Sequence, residues 1–194
     1  MENIYKYIVL FVLSCSGLSH ANNTDLINKF TNSTEEQTHV YQWIKNNSRT
    51  DLSSQELKST IAHIFAVSYS KDIDPYLVLG MITQESRYRK TARSSYGAKG
   101  LMQVVPRWHR DKLKNRNPYN PKVSVEVGIK VLKDCIDKSR NKRSALSCYS
   151  GGAKSYHLKV TKYQSEIKRF VSIEKKFSKL DNYAYLENKP SLTN

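Results

Sequence analysis

Glu85 is the residue of this sequence whose position points most directly to chemistry. It follows Val78, Met81 and Ile82 at helical spacing, so it falls on a helix face that is otherwise apolar. A carboxyl group at the edge of a hydrophobic core loses hydration, which raises its pKa and keeps a proton on it near neutral pH. A carboxylic acid in that state can act as a general acid. The alternative is a glutamate at the margin of the stripe that reaches solvent or pairs with a neighbouring arginine.

Two spaced motifs include Glu85. Glu85-Ser86 comes first, and the run Gly97-Ala98-Lys99-Gly100-Leu101-Met102-Gln103 follows it, with eighteen positions from Glu85 to Gln103. Residues 148–152, Cys-Tyr-Ser-Gly-Gly, form a third segment. Together these segments resemble the catalytic domain of lytic transglycosylases of the soluble-lytic-transglycosylase (SLT) type. That family has Glu-Ser, then Gly-Ala-x-Gly-Leu-Met-Gln at this spacing, and later Ala-Tyr-Asn-Ala-Gly. The resemblance covers roughly residues 55–180.

This resemblance implies a mainly α-helical, lysozyme-like fold with a cleft, and an enzyme that cleaves peptidoglycan glycan strands without a cofactor. Transferred by position, Glu85 is the catalytic acid and base. The residues expected to bind the sugar chain are Ser94, Met102, Gln103, Tyr149 and Tyr163. Ser150 and Gly151 stand where the family has Asn and Ala, which predicts a loop of different shape.

The isolation of Glu85 bears on the reaction. No Asp or Glu lies between Ser86 and Arg110. A retaining glycosidase usually needs a second carboxylate about 5 Å from the first, and Asp111 or Glu126 remain open as remote partners. In the resembled family the 6-hydroxyl of the muramyl sugar attacks C1 and leaves a 1,6-anhydromuramyl end. The alternatives are a hydrolytic lysozyme of the same fold and a non-catalytic basic protein that binds cell wall or nucleic acid.

The sequence contains no motif of the common metal sites or of serine hydrolases. The five histidines form no HxxxH motif and no CxxC occurs, so no metal site is predicted. No GxSxG hydrolase motif occurs either. Gly97 and Gly100 are expected to let the backbone approach the sugars. Flat faces for sugar rings are offered by Tyr96, Tyr119, Tyr149 and Tyr156.

Capping motifs and apolar stripes in the sequence predict the helices that would position these residues. Ser53-x-x-Glu56 is a capping box, and Asp74-Pro75 provides the N-cap and first-turn proline of the helix that ends near Glu85. Further amphipathic stripes and few alternating patterns predict a mainly α fold. The predicted organisation is a signal peptide at 1–21, an N-terminal extension at 22–52, a lysozyme-like transglycosylase domain at 53–180 and a polar tail at 181–194.

Charge and the N-terminus indicate the compartment and the partner. The chain has 32 Lys and Arg against 17 Asp and Glu, and the excess lies after residue 70. Such a domain attracts a polyanion, which can be nucleic acid, anionic lipid or an acidic cell-wall polymer. A solvated basic surface is the alternative, and no specific nucleic acid is expected. Lys6, the apolar stretch 8–18 and Ser19-His20-Ala21 predict a cleaved signal peptide and a periplasmic protein, with lipoprotein anchoring at Cys15 as the alternative. We expect a monomer that opens the wall locally for a secretion, conjugation, pilus or phage machine.

A disulfide is predicted between Cys135 and Cys148. These are the two cysteines that remain after removal of the signal peptide, an even count in an oxidising compartment. They lie in helical stretches at equal distances from the centre of the charged turn at 140–143. Residues equally far from the turn of a helical hairpin lie at the same level, where the Cα separation suits a bridge. Two small buried thiols are the alternative.

Overall fold

The computed structural model describes the backbone of residues 20–187 and the side chains of residues 33–180. Within these residues it has helices and no strand, and two isolated bridges join Lys99 to Arg93 and to Val104. The predicted mainly α class is therefore confirmed. Most of the predicted signal peptide lies outside the described residues. The helices are α1 (His20–Asn47), α2 (Ser54–Ser70), α3 (Pro75–Glu85), α4 (Arg110–Leu113), α5 (Pro121–Asp137), α6 (Lys142–Tyr149) and α7 (Tyr156–Glu187).

The helix starts predicted from local sequence are present. The Ser53 hydroxyl accepts a hydrogen bond from the Glu56 amide, and the Glu56 carboxylate accepts one from the Ser53 amide, which completes the capping box of α2. At α3, the Asp74 carboxylate accepts from the Tyr76 amide, and Pro75 occupies the first turn. These caps satisfy donors that a helix N-terminus leaves free.

The core forms around α3, whose residues 75–83 are all buried. Among the described helix pairs, α3 and α7 make the most extensive contact. Gly80 lets the two helices cross closely, because a Cβ atom there would lie 2.8 Å from the carbonyl oxygen of Val160. The crossing brings Glu85, in the last turn of α3, beside Tyr156, in the first turn of α7.

The domain begins earlier than residue 53, the start that the sequence predicts. The chain divides into two compact units, residues 1–36 and residues 37–194. Residues 37–52 contribute buried apolar side chains to the core, namely Val40, Trp43, Ile44 and Leu52. The predicted extension of 22–52 therefore includes part of the domain. The helical spacing of these apolar residues is hard to recognise in the sequence, because Asn, Ser and Thr are frequent around them. At the other end, α7 continues to Glu187, into the predicted polar tail.

Helices α5 and α6 pack against each other and carry the two cysteines. The sulfurs of Cys135 and Cys148 are bonded in the structure, with their Cα atoms 5.7 Å apart. Cys135 is buried and Cys148 is exposed. Among the described residues, no helix combines the length and the hydropathy needed to cross a membrane.

Candidate active site

A cleft of about 680 Å³ opens beside the C-terminal end of α3. Three parts of the chain line it: the end of α3, the loop between α3 and α4, and the segment that joins α6 to α7. Glu85 is the sole carboxylic acid among the lining residues, which are Gln84, Glu85, Ser94, Tyr96, Ala98, Gln103, Val105, Trp108, 149–153 and Tyr156.

Glu85 is half-buried, and its burial and one hydrogen bond act in opposite directions on the pKa of its carboxyl group. Burial raises the pKa of Glu85 to about 7, against the opposing effect of a hydrogen bond from Tyr156. In that bond the Tyr156 hydroxyl donates to Oε1 of Glu85 over 2.6 Å. Because the pKa lies near neutral pH, protonated and ionised forms are both populated. Glu85 can therefore release a proton and take one back.

Two tyrosines connect this acid to the rest of the cleft. The rings of Tyr149 and Tyr156 stack with their centroids 6.4 Å apart. The Tyr149 hydroxyl donates to the carbonyl oxygen of Met102 over 2.8 Å, which ties the end of α6 to the Gly-Leu-Met-Gln loop. Burial, together with the nearby charge of Glu85, raises the pKa of both hydroxyls far above their usual value. Both tyrosines therefore remain neutral donors.

The chain after Glu85 is anchored below α3. Arg87 and Tyr88 have φ values of 52° and 60°, which turn the backbone sharply after the helix ends. The ring of Tyr88 is fully buried, and its hydroxyl donates to the carbonyl oxygen of Leu79 over 3.0 Å. The hydroxyl of Thr50 donates to the carbonyl oxygen of Tyr88 over 2.8 Å. These bonds give Glu85 a fixed position at the end of a buried helix.

Two of the residues expected to bind the sugar chain, Ser94 and Gln103, line the cleft. Their polar groups also fix the loop on which they lie. The side-chain amide of Gln103 donates to the carbonyl oxygens of Ala92 and Gly100, over 3.2 and 3.0 Å. The Ser94 hydroxyl accepts a hydrogen bond from the Ala98 amide over 3.1 Å. These hydrogen bonds hold the loop between α3 and α4 in place as one wall of the cleft.

Met102 does not line the cleft, contrary to the sequence prediction. Its side chain is fully buried and packs on α5 at Gly128. A Cβ atom on Gly128 would lie 2.4 Å from the Met102 sulfur, so glycine makes room for this side chain. Met102 contributes to the site through its backbone carbonyl, which receives the Tyr149 hydroxyl.

Tyr163 also lies outside the main cleft. It lines an adjoining pocket, while Tyr156 is the tyrosine that contacts Glu85. Both residues are on α7, and Tyr163 comes seven residues, about two helical turns, after Tyr156. The sequence predicts Tyr156 only as a flat face for a sugar ring. The signal in the sequence that could have indicated its contact with Glu85 is its position at the start of the helix that follows the third motif.

Two exposed aromatic residues stand in the cleft wall. Tyr96 is 77% exposed and Trp108 is 62% exposed, which is unusual for such large side chains. The guanidinium of Arg107 lies over the Trp108 ring, 4.7 Å from its centroid. Flat, accessible rings of this kind are suited to stacking on sugars. Sequence reasoning missed Trp108, although an indole beside an arginine in an irregular loop was a usable signal.

Gly100 is required for packing rather than for close approach to a sugar. Its φ is 75°, and a Cβ atom would lie 2.1 Å from the carbonyl oxygen of Pro118. Gly97 has a φ of 84° and open space where a Cβ atom would lie, so its backbone angle is what favours glycine there.

The two remote carboxylates considered from the sequence are engaged elsewhere. Glu126 accepts a hydrogen bond from Arg116 over 2.6 Å, and Asp111 pairs with Lys112 at 3.2 Å. Neither carboxylate lines the cleft. Among the described residues, no group of three or more His, Cys, Asp and Glu is placed to hold a metal ion.

Comparison with known proteins agrees with this geometry. The sequence profile of the family described as "Transglycosylase SLT domain" matches residues 62–171, which run from α2 into α7 and contain Glu85, Gln103 and Tyr156. The chain belongs to this family. The SLT domain thus includes all three parts of the chain that line the cleft, and the resemblance inferred from the motifs is confirmed.

One relative carries a descriptive name. A protein of Enterobacteria phage PRD1 called "Transglycosylase" is 29% identical to this SLT-domain chain over 112 residues. The matched part is 57% of this chain and 42% of the phage protein, so the chain spans less than half of the length of that relative.

Proposed function

We propose that this protein is a peptidoglycan lytic transglycosylase that cleaves the β-1,4 bond between MurNAc and GlcNAc and leaves a 1,6-anhydroMurNAc end. The observation that carries the proposal is Glu85, a half-buried acid with a pKa raised to about 7 by burial. It is also the sole carboxylic acid in the wall of the cleft. Membership of the SLT family and the name of the phage relative support the same class of reaction.

The proposed reaction uses Glu85 twice. Protonated Glu85 gives its proton to the glycosidic oxygen as the bond from C1 to that oxygen breaks. The N-acetyl carbonyl of MurNAc stabilises the positive charge at C1. The Glu85 carboxylate then takes the proton of the 6-hydroxyl, whose oxygen attacks C1 and closes the anhydro ring. Glu85 ends protonated as it began, and the Tyr156 hydrogen bond stabilises its charged form between the two steps.

A hydrolytic lysozyme of the same fold is the rival function. A retaining mechanism would use a second carboxylate about 5 Å from the first, and the cleft wall supplies none beside Glu85. Digestion of purified sacculi with the protein, followed by mass spectrometry of the released muropeptides, separates the two. We expect anhydro ends, each lighter by one water than a reducing end. Predominantly reducing ends would make the protein a lysozyme.

A binding protein without catalysis is the rival from another class. Its support is the net charge of +15, which would attract wall polymer or nucleic acid. In that case the position of Glu85 at the cleft would have no role. Binding to sacculi or DNA that weakens steeply with salt, with no release of muropeptides, would favour this function over ours.

We also propose that the protein acts in the periplasm as a monomer, opening the wall locally for an envelope-spanning secretion, conjugation, pilus or phage machine. The signal-peptide pattern of residues 1–21 and the pairing of Cys135 with Cys148 support export. N-terminal sequencing of the protein from a periplasmic fraction tests this, and we expect a mature chain that starts at Asn22. A lipid-modified Cys15 at the N-terminus would instead indicate membrane anchoring. Light scattering of the mature protein measures its molar mass in solution, which tests whether it is a monomer.

A further inference from the structure

A second pocket adjoins the catalytic cleft. It has a volume of about 290 Å³ and lies between the end of α3 and the first turns of α7. Gln84 lines both this pocket and the cleft, so the two are neighbours. We call it the basic pocket, and its lining residues are Thr83, Gln84, Arg87, Lys159, Lys162 and Tyr163.

The basic pocket carries an excess of positive charge. Three of its six lining residues, Arg87, Lys159 and Lys162, are cations, and none is an acid. The Glu166 carboxylate lies 3.9 Å from the Lys162 ammonium, a distant and exposed pair that neutralises little of this charge. The cations project from two different helices or their ends into one concave site. Cations gathered around one concave site can together bind a single anionic group.

The spacing of Tyr156 and Tyr163 along α7 indicates how long a ligand must be to extend from Glu85 into the basic pocket. Tyr156, which contacts Glu85, is followed seven residues later on α7 by Tyr163 in the basic pocket. This separation is about 10 Å along the helix axis. An extended peptide covers about 3.3 to 3.6 Å per residue, so roughly three residues span it. A ligand in the pocket can therefore be a short chain attached to the sugar that reacts at Glu85.

We propose that the basic pocket binds the carboxylates of the stem peptide on the muramyl sugar whose glycosidic bond is cleaved. This inference rests on the proposed function, since that function places a muramyl sugar at Glu85. The stem peptide leaves the sugar at C3, close to the reacting C1, and carries carboxylates within its first residues. Guanidinium and ammonium groups bind carboxylates through charge-assisted hydrogen bonds. The pocket would thus select peptide-bearing strands over bare glycan.

The test compares two substrates and two pairs of substitutions. Glycan strands with their stem peptides are compared with the same strands after an amidase has removed the peptides. Lys159→Gln combined with Lys162→Gln removes two charges from exposed positions in the pocket. Lys176→Gln combined with Lys179→Gln is the matched control, because it removes two exposed charges from the same helix outside the pocket. None of these four lysines lines the cleft that contains Glu85.

The expected result is a KM for peptide-bearing strands that rises by roughly tenfold in the pocket variant, about the effect of one charged hydrogen bond. Its kcat, its KM for stripped strands and all constants of the control should stay near the wild-type values. An equal loss on both substrates, or no loss at all, would overturn the inference.

A binding measurement tests this inference independently of the proposed catalytic function. Glu85→Gln protein, with and without the pocket substitutions, is titrated with a soluble disaccharide that carries a stem tripeptide. Weaker binding in the pocket variant, and unchanged binding in the control, would support the pocket even if the wild type released no product from sacculi. Equal affinities would contradict it even if the enzyme were active.

Discussion

The Tyr156 hydroxyl donates a 2.6 Å hydrogen bond to the Glu85 carboxylate from a position 71 residues later in the chain. The bond exists because α7 crosses α3 closely at Gly80. Burial of Glu85 between these elements raises its pKa, while the hydrogen bond lowers it, and the balance lies at about 7. The helix crossing therefore sets the protonation state on which the proposed reaction depends.

Replacement of Glu85 by Gln should abolish most of the activity. The amide keeps the shape of the side chain but has no proton to transfer, so turnover of sacculi should fall at least about a hundredfold. Release of soluble muropeptides over time measures the loss. Activity like that of the wild type would remove Glu85 from the mechanism.

The same substitution should change how stability depends on pH. The pKa of Glu85 is about 7 in the folded protein against an ordinary 4.5, because of burial. The folded state therefore holds the proton more tightly, and the wild type loses stability as pH rises from about 4.5 through 7. Gln does not titrate, so the variant does not lose stability in this way. The free energy of unfolding of the variant, measured relative to that of the wild type, should therefore rise by about 3 kcal/mol across that window.

Denaturant unfolding of both proteins at pH 4.5 and pH 8 measures this change. Ser165→Ala is a suitable control, because Ser165 is exposed on α7 and has no ionisable group. Its stability difference from wild type should stay nearly constant between the two pH values. A Glu85→Gln difference that is equally constant would mean that the carboxyl group is well hydrated in the folded protein.

Tyr156→Phe should raise the pKa of Glu85 further. The lost hydroxyl stabilises the ionised carboxylate, so its removal leaves burial unopposed and favours the protonated form. The alkaline limb of the pH profile of kcat/KM should then move to higher pH. Tyr163→Phe is the control on the same helix, since Tyr163 lies in the basic pocket and not against Glu85. A shift of equal size in both variants would contradict the assigned role of Tyr156.

Gly80→Ala should destabilise the protein by about 1 to 3 kcal/mol through overpacking. The added Cβ atom would lie 2.8 Å from the carbonyl oxygen of Val160 and 3.0 Å from the amide nitrogen of Gln164, so α3 and α7 must separate. Helix propensity alone predicts the opposite sign, because Ala favours a helix over Gly by about 1 kcal/mol. Urea unfolding decides between these signs, and a more stable variant would show that the helices do not cross this closely.

The bond between Cys135 and Cys148 should be present in protein made in the periplasm. Closing a loop over 13 positions of sequence stabilises the fold by roughly 3 kcal/mol in the chain-entropy model. Intact mass after alkylation without a reductant should show no modified thiol, and Cys135→Ser combined with Cys148→Ser should lower the free energy of unfolding. Two alkylated cysteines in the wild type would refute the bridge.

Local sequence determined the helix starts, the mainly α class and the candidate acid. Ser53-x-x-Glu56 and Asp74-Pro75 cap their helices through contacts with residues two or three positions away, so a short window of sequence contains the whole interaction. Glu85 interrupts an apolar face, and periodicity within one helix is enough to reveal that. The spacing from Glu85 to Gln103 then identified the family.

Tertiary structure alone decided which residues meet at Glu85. Periodicity shows that a side chain faces a core but does not show which distant helix lies opposite. Tyr156 rather than Tyr163 therefore reaches the acid, and Met102 turns into the core at Gly128 instead of into the cleft. Residues 37–52 join the domain for a similar reason, since the hydroxyl of Thr50 reaches the backbone of Tyr88 across 38 positions. Contacts of this length depend on how the helices cross, which is a property of the packed chain and not of any local segment.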